Sequence, residues 1–181
     1  MSRSDRTLAN WWPLRALAVL AGFSLMPSAL ADESPEYRLK AAFLYNFAAF
    51  TEWPTEVGRT LNLCVYGPDP FGAELDTLTG KAVGSRIVAV QRKTSIDSLK
   101  GCQIVFISNA AIGQLPRLRD MLHGSPVLTV ADSPGAARDG VALNMNLVQT
   151  RISFEANLGV ARDAGLNLSS KLLRLATEVI Q

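Results

Sequence analysis

Two periods of hydrophobicity alternate along this chain, and each change of period marks an element. In "SPEYRLKAAFLYNFAAFTEWP" (34–54), Leu39, Phe43, Phe47 and Phe50 recur at spacings of 4, 4 and 3. That spacing places them on one face of an α-helix. Ser34 is the expected N-cap, and Pro35 takes the first helical position, where its missing N–H does no harm. Trp53-Pro54 is expected to end the segment, because the residue before a proline avoids helical geometry. Burying each phenylalanine is worth roughly 1.5–3 kcal/mol, so this face is expected to dock on a core. Tyr45 lies across the helical wheel from Phe43 and Phe47 and is the candidate for outward contact.

Downstream, short apolar runs bounded by turn residues alternate with helical patterns. "LNLCVY" (61–66), "RIVAVQ" (86–91), "CQIVFIS" (102–108) and "PVLTVA" (126–131) are expected strands. The second reads as near an edge, and the third, apolar throughout, as covered on both faces. "FGAELDTL" predicts a short helix, and "IGQLPRLRDMLH" predicts one that closes at Gly124. This order predicts an α/β fold in a three-layer Rossmann-like arrangement, with a largely parallel sheet and helices on both faces.

Period two then takes over. "GVALNMNL" and "RISFEAN" predict an antiparallel hairpin added to the sheet. With residues 147–150 as its loop, Asn146 faces Arg151, Asn144 faces Ser153, and Leu143, Met145, Ile152 and Phe154 share the core side. Asn144, Asn146, Arg151, Ser153 and Glu155 then point the same way and form the candidate patch for binding a partner or a ligand. The plainer alternative is a solvated sheet face. Asn157 is expected to cap the next helix and Gly165 to end it. Ser169 or Ser170 would start a terminal helix with Leu172, Leu175, Ala176 and Val179 as its buried stripe.

The start of the chain changes the picture of charge and compartment. Residues 1–31 carry Arg3, Arg6 and Arg15, then "LRALAVLAGFSL", Pro27 and "SALA". This is the anatomy of a cleaved secretory signal, with an apolar run too short to span a bilayer comfortably and small residues at Ala29 and Ala31; an uncleaved anchor is the alternative. Residues 32–181 are then expected to form a single α/β domain. Removing the signal leaves 15 basic and 15 acidic residues out of 18 and 16. A neutral exported protein is a poor match for nucleic acid, and no direct membrane insertion is expected after cleavage.

Cys64 and Cys102 are the two cysteines, and an oxidising compartment would let them pair; two buried thiols are the alternative. A bridge would close a loop of about 39 residues. Chain entropy puts its stabilisation on the order of 4 kcal/mol. Two cysteines and a distant His123 do not make a structural zinc site, which wants four ligands.

Catalytic signatures are sparse. The chain has one histidine and lacks G-x-S-x-G and H-E-x-x-H, and Ala82 replaces the Ser or Thr that a phosphate-binding loop needs after Gly80-Lys81. His123 is expected to cap a helix C-terminus. Glu74 with Asp76, or Asp132 with Asp139, would become an acid/base pair only if the fold assembled it. No catalytic residue, metal or cofactor is therefore assigned, and the expectation is a binding protein rather than an enzyme.

"YRLKAAFLYNFAAFTEWP" (37–54), "LNLCVYGPDPFGAELDTLTGKAVGSRIVAV" (61–90), "GCQIVFIS" (101–108) and "ISFEANLGVARDAGLNLSSKLLRLA" (152–176) resemble, in order, the blocks of the YfiR family, periplasmic proteins of Gram-negative bacteria. The resemblance implies a periplasmic negative regulator that binds the periplasmic domain of an inner-membrane diguanylate cyclase, lowering cyclic-di-GMP and biofilm formation without chemistry of its own. Cys64 and Cys102 match one cysteine pair of that family, while residues 130–146 lack the second pair that some members carry. The alternative function is a periplasmic small-ligand receptor or sensor module, with its pocket near the strand ends and serving another membrane signalling protein. A homodimer through the hairpin or a helix face is compatible with either.

Overall fold

A computed structural model describes residues 35–181. The expectations of a signal at 1–31 and of a cap at Ser34 lie outside the described residues. Helix α1 (Pro35–Ala49) leads to β1 (Thr51–Glu52), β2 (Thr60–Tyr66), the short helix α2 (Ala73–Asp76), β3 (Ala82–Val83) and β4 (Arg86–Lys93). After a 3-10 turn come β5 (Ile104–Ile107), a second 3-10 segment (Asn109–Gln114), α3 (Leu115–Leu122) and β6 (Leu128–Ala131). The chain then forms α4 (Ala136–Asp139), β7 (Leu143–Val148), β8 (Arg151–Asn157), α5 (Leu158–Asp163), β9 (Asn167–Leu168), α6 (Ser170–Leu173) and β10 (Glu178–Ile180).

Eight strands make one sheet in the order β10-β8-β7-β6-β5-β2-β4-β3, and β1 pairs separately with β9. All of its pairings are parallel except β7 with β8 and β3 with β4. This is the Rossmann-like α/β architecture that the pattern predicts. β5 is buried along its whole length, because parallel neighbours flank it and helical segments cover both faces. Alternate residues of the central strands serve opposite cores. Leu63, Ile104, Phe106 and Val130 pack with Leu44 and Phe47 of α1, whereas Cys64, Val105, Ile107 and Ala131 pack with Leu115 and Leu118 of α3.

Four expectations need correction. The buried face of α1 is Lys40, Ala41, Leu44, Phe47 and Ala48. At 100° per residue it lies roughly 100° around the helix from the expected aromatic stripe. Leu39 is left 43% exposed, and Phe43 and Phe50 are half-buried. The alanines let the helix axis approach the sheet, and the larger rings fill the flanks. The helix also ends at Ala49, before Trp53-Pro54. Its final carbonyls take side-chain donors: Thr51 Oγ1 donates to Phe47 O at 2.7 Å and Trp53 Nε1 to Ala48 O at 3.0 Å.

The hairpin forms with a loop of Gln149 and Thr150 in place of the four-residue loop, and Gln149 adopts φ 59°. The register therefore moves by two residues: Asn144 faces Glu155, Asn146 faces Ser153 and Val148 faces Arg151. A shift of two leaves each side chain on its expected face, so Leu143, Met145 and Phe154 are buried in the core with Ile152 packed against them. The terminal helix stops after one turn at Leu173, and the expected stripe fails there: Leu175 is 70% exposed, and β10 pairs in parallel with β8. The open edge of β8 captures the chain, since Thr177 donates both its N–H and its hydroxyl to Phe154 O, at 2.9 and 3.0 Å. The caps are as expected: Asn157 Oδ1 accepts from Val160 N, Ser169 Oγ accepts from Leu172 N, and Gly165 has φ 68°.

Candidate functional site

In open α/β sheets, ligands bind outside the carboxyl ends of the strands where the strand order reverses. Here the reversal is at β2, which the chain leaves for β4 on one side and later meets again through β5 on the other. Gly67 follows β2 with φ 91°, and Ser108 follows β5, its N–H donating to Tyr66 O at 3.1 Å. A Cβ at Gly67 would lie 2.5 Å from Ser108 Oγ and 2.8 Å from Ala111 Cβ. The switch point is thus packed shut, and glycine is required there both by backbone geometry and by space.

Beside it, at the end of β6, sits a buried charge cluster. Lys40 Nζ lies 2.7 Å from Asp132 Oδ2 and 2.5 Å from Glu36 Oε1, and the Tyr37 hydroxyl donates to the same Asp132 oxygen at 3.1 Å. The Lys40 and Asp132 side chains are only 4% and 3% exposed. Lys40 also stands 4.5 Å from the Tyr37 ring centroid. Burial alone would lower the Lys40 pKa, but hydrogen bonds to Asp132 and Glu36 outweigh it and leave the ammonium above its ordinary value. Tyr37 is also raised, by desolvation first and then by the Asp132 charge. Asp132 Oδ1 and Ser108 Oγ are buried and have no hydrogen-bond partner among the described residues. The helical spacing of Glu36 and Lys40 was the available signal for this cluster; its long-range member, Asp132, had none.

The hairpin patch divides into a buried root and an open tip. Asn144 is fully buried, its Oδ1 accepting from Ser133 N at 3.2 Å and its Nδ2 reaching Asn146 Oδ1 at 3.2 Å and Glu155 Oε2 at 3.4 Å. Asn146, Ser153 and Glu155 are half-buried, and Arg151 is exposed. Exposed Leu147 and Val148 sit beside Arg151 at the tip. The structure brings the five residues onto one sheet face, with Asn144 bonded to Asn146 and Glu155 from beneath and Ser153 Oγ reaching Asn146 O at 3.5 Å. Tyr45 lies apart: it is half-buried, its hydroxyl donates to Ala82 O at 2.7 Å, and Lys81 Nζ stands 5.7 Å from its ring centroid.

Cys64 and Cys102 form a disulfide, with Cα atoms 6.0 Å apart, inside the core on the α3 side. His123 occupies the C-cap of α3. Asp76 is ion-paired with Arg92, and Asp139 is exposed on α4 while Asp132 is buried against Lys40.

A family profile described as YfiR/HmsC-like matches residues 37–177. Among solved structures, the ABC domain of Streptococcus pneumoniae in complex with L-Trp is similar at 9% identity and TM-score 0.51, over 80% of this chain and 60% of that one. The chain thus spans about three fifths of that protein's length, and the likeness is one of fold.

Proposed function

Because the chain belongs to the YfiR/HmsC-like family, matched over residues 37–177, we propose that it is a periplasmic regulatory binding protein that represses an inner-membrane diguanylate cyclase by binding the cyclase's periplasmic domain. The family match carries this reading. Binding lowers cyclic-di-GMP by favouring the inactive form of the partner, and a few kcal/mol of differential affinity turns the output down strongly. The protein acts by contact and needs neither a cofactor nor a catalytic group. Arg151 with Asn146, Ser153 and Glu155 offers the partner a surface held rigid by the sheet, whereas Tyr45, tied to Ala82 O on the α1 side, is not part of that surface.

The deciding experiment is intracellular cyclic-di-GMP after deletion of the gene, with complementation. A rise that wild type reverses is the expected result, and Arg151→Glu is expected to complement poorly at normal abundance. Unchanged cyclic-di-GMP on deletion rejects the cyclase as partner.

A further inference from the structure

At the other end of β6 from the Lys40–Asp132 cluster there is a cleft of about 130 Å³. It follows from a gap in the sheet. β5 pairs with β6 over four residues, from Ile104↔Leu128 to Ile107↔Ala131, whereas β7 meets β6 only at Val130↔Leu143 and Ala131↔Asn144. Past the end of that pairing, the Ala142 N–H donates to the Thr129 hydroxyl at 3.0 Å instead of to a strand carbonyl. Leu122, Val127, Val160 and Ala164 provide the apolar part of the lining.

The rim is net acidic. Helices α3, α4 and α5 all end on it, with C-caps at His123, Gly140 and Ala164. The eight-residue α3 presents carbonyl oxygens and the negative end of a helix dipole, which favours cations, whereas carbonyls ending the shorter α4 and α5 already accept from Gly140 N, Val141 N, Ala164 N, Gly165 N and Leu166 N. Asp120 and Asp163 share the lining, and neither has an ion-pair partner among the described residues. Arg119 also lines the cleft and keeps its charge, its Nη1 donating to the Asp139 carbonyl at 3.2 Å, so one fixed cation stands against the two aspartates and the rim stays net negative.

We propose that this cleft binds a small organic cation, its ammonium group held by Asp120, Asp163 and the end of α3 and its apolar body resting on Leu122, Val127 and Val160. The volume suits a single ring, since an apolar cavity of about 150 Å³ accommodates benzene. The site is independent of the cyclase reading and stands or falls on binding alone.

The test uses three probes of nearly equal shape: benzylamine, phenylacetate and benzyl alcohol. His123 is the only histidine of the chain, so its ring resonances in the purified protein report on the cleft without ambiguity. Benzylamine is expected to move them saturably at millimolar concentration and to raise the melting temperature, while the anion and the alcohol leave both unchanged. Asp163→Asn, at an exposed position that leaves the core intact, is expected to weaken benzylamine about fivefold, and Val160→Trp to abolish its effect by filling the cleft. No response to benzylamine, an equal response to phenylacetate or benzyl alcohol, or full benzylamine affinity in Asp163→Asn overturns the proposal.

Discussion

On the α1 face of the sheet, Phe47 meets Phe43 and Phe154 edge to face at centroid distances of 5.8 and 5.1 Å, and Phe71 joins Tyr37 to Phe106 at 5.2 and 4.7 Å. On the α3 face the buried cluster holds no phenylalanine, and the Cys64–Cys102 bond joins β2 to the residues just before β5. The helical segments differ as well. α1 runs 15 residues, whereas the α3 face is covered by an eight-residue helix and two 3-10 segments. A long helix with large rings buries enough surface to hold itself, while short segments gain from a covalent link that restricts the unfolded chain.

Removing a ring should therefore cost most. Phe47→Ala is expected to destabilise by about 4 kcal/mol, because the ring is fully buried and touches two others; urea denaturation measures it. The double variant Cys64→Ser, Cys102→Ser is expected to lose about 3 kcal/mol in the same assay, below the chain-entropy value of about 4 because the reduced unfolded chain retains some structure. If the cysteine variant proved the more damaged, the division between an aromatic face and a tethered face would be reversed.

The charge cluster sits where the α1 face meets the strand ends. Asp132→Ala is expected to cost about 2 kcal/mol, below the usual 3–5 for an orphaned buried charge, because Glu36 still neutralises Lys40. Its pH dependence has a definite sign. The pKa values of Lys40 and Tyr37 are both raised by folding above their ordinary 10.5 and 10.0, so the protonated forms are favoured in the native state. That stability is fully present below about pH 10 and is lost as pH rises through the folded values. Melting temperature is thus expected to fall above pH 10 more steeply in wild type than in Asp132→Ala. The smallest effect belongs to Arg138→Ala: its pair with Glu178 is largely exposed, and the loss is expected to stay under about 1 kcal/mol.

Much of the fold was legible because hydrophobic period depends on local geometry. Strands β2, β4, β5, β6, β7 and β8 and the caps at Asn157 and Ser169 followed from spacing and residue type, whereas the short strands β1, β3, β9 and β10 did not. The aromatic run of α1 was legible as a helix but not in its rotation, because four large residues in a stripe outweigh alanines in any reading by hydrophobicity. Which face can approach the sheet depends on how close the axis must come. Residues 174–180 failed for a related reason. Their apolar spacing suits a helix, but an unpaired strand edge offered backbone partners that only the assembled sheet could present. In the hairpin patch the composition of the face was readable, whereas the burial of Asn144 depended on Ser133, eleven residues away.

What the sequence determined by itself was local and periodic: where the longer strands and the first helix form, which side of the hairpin is apolar, and which cysteines were there to pair. Tertiary structure decided what depends on distant neighbours: that Lys40 is buried against Asp132, that Ser108 closes the switch point over Gly67, and that three helix ends converge on a cleft. The physical reason is range. Backbone propensity and side-chain period act over a few residues, whereas burial, ion pairing and cavity shape depend on atoms that only the folded chain brings together.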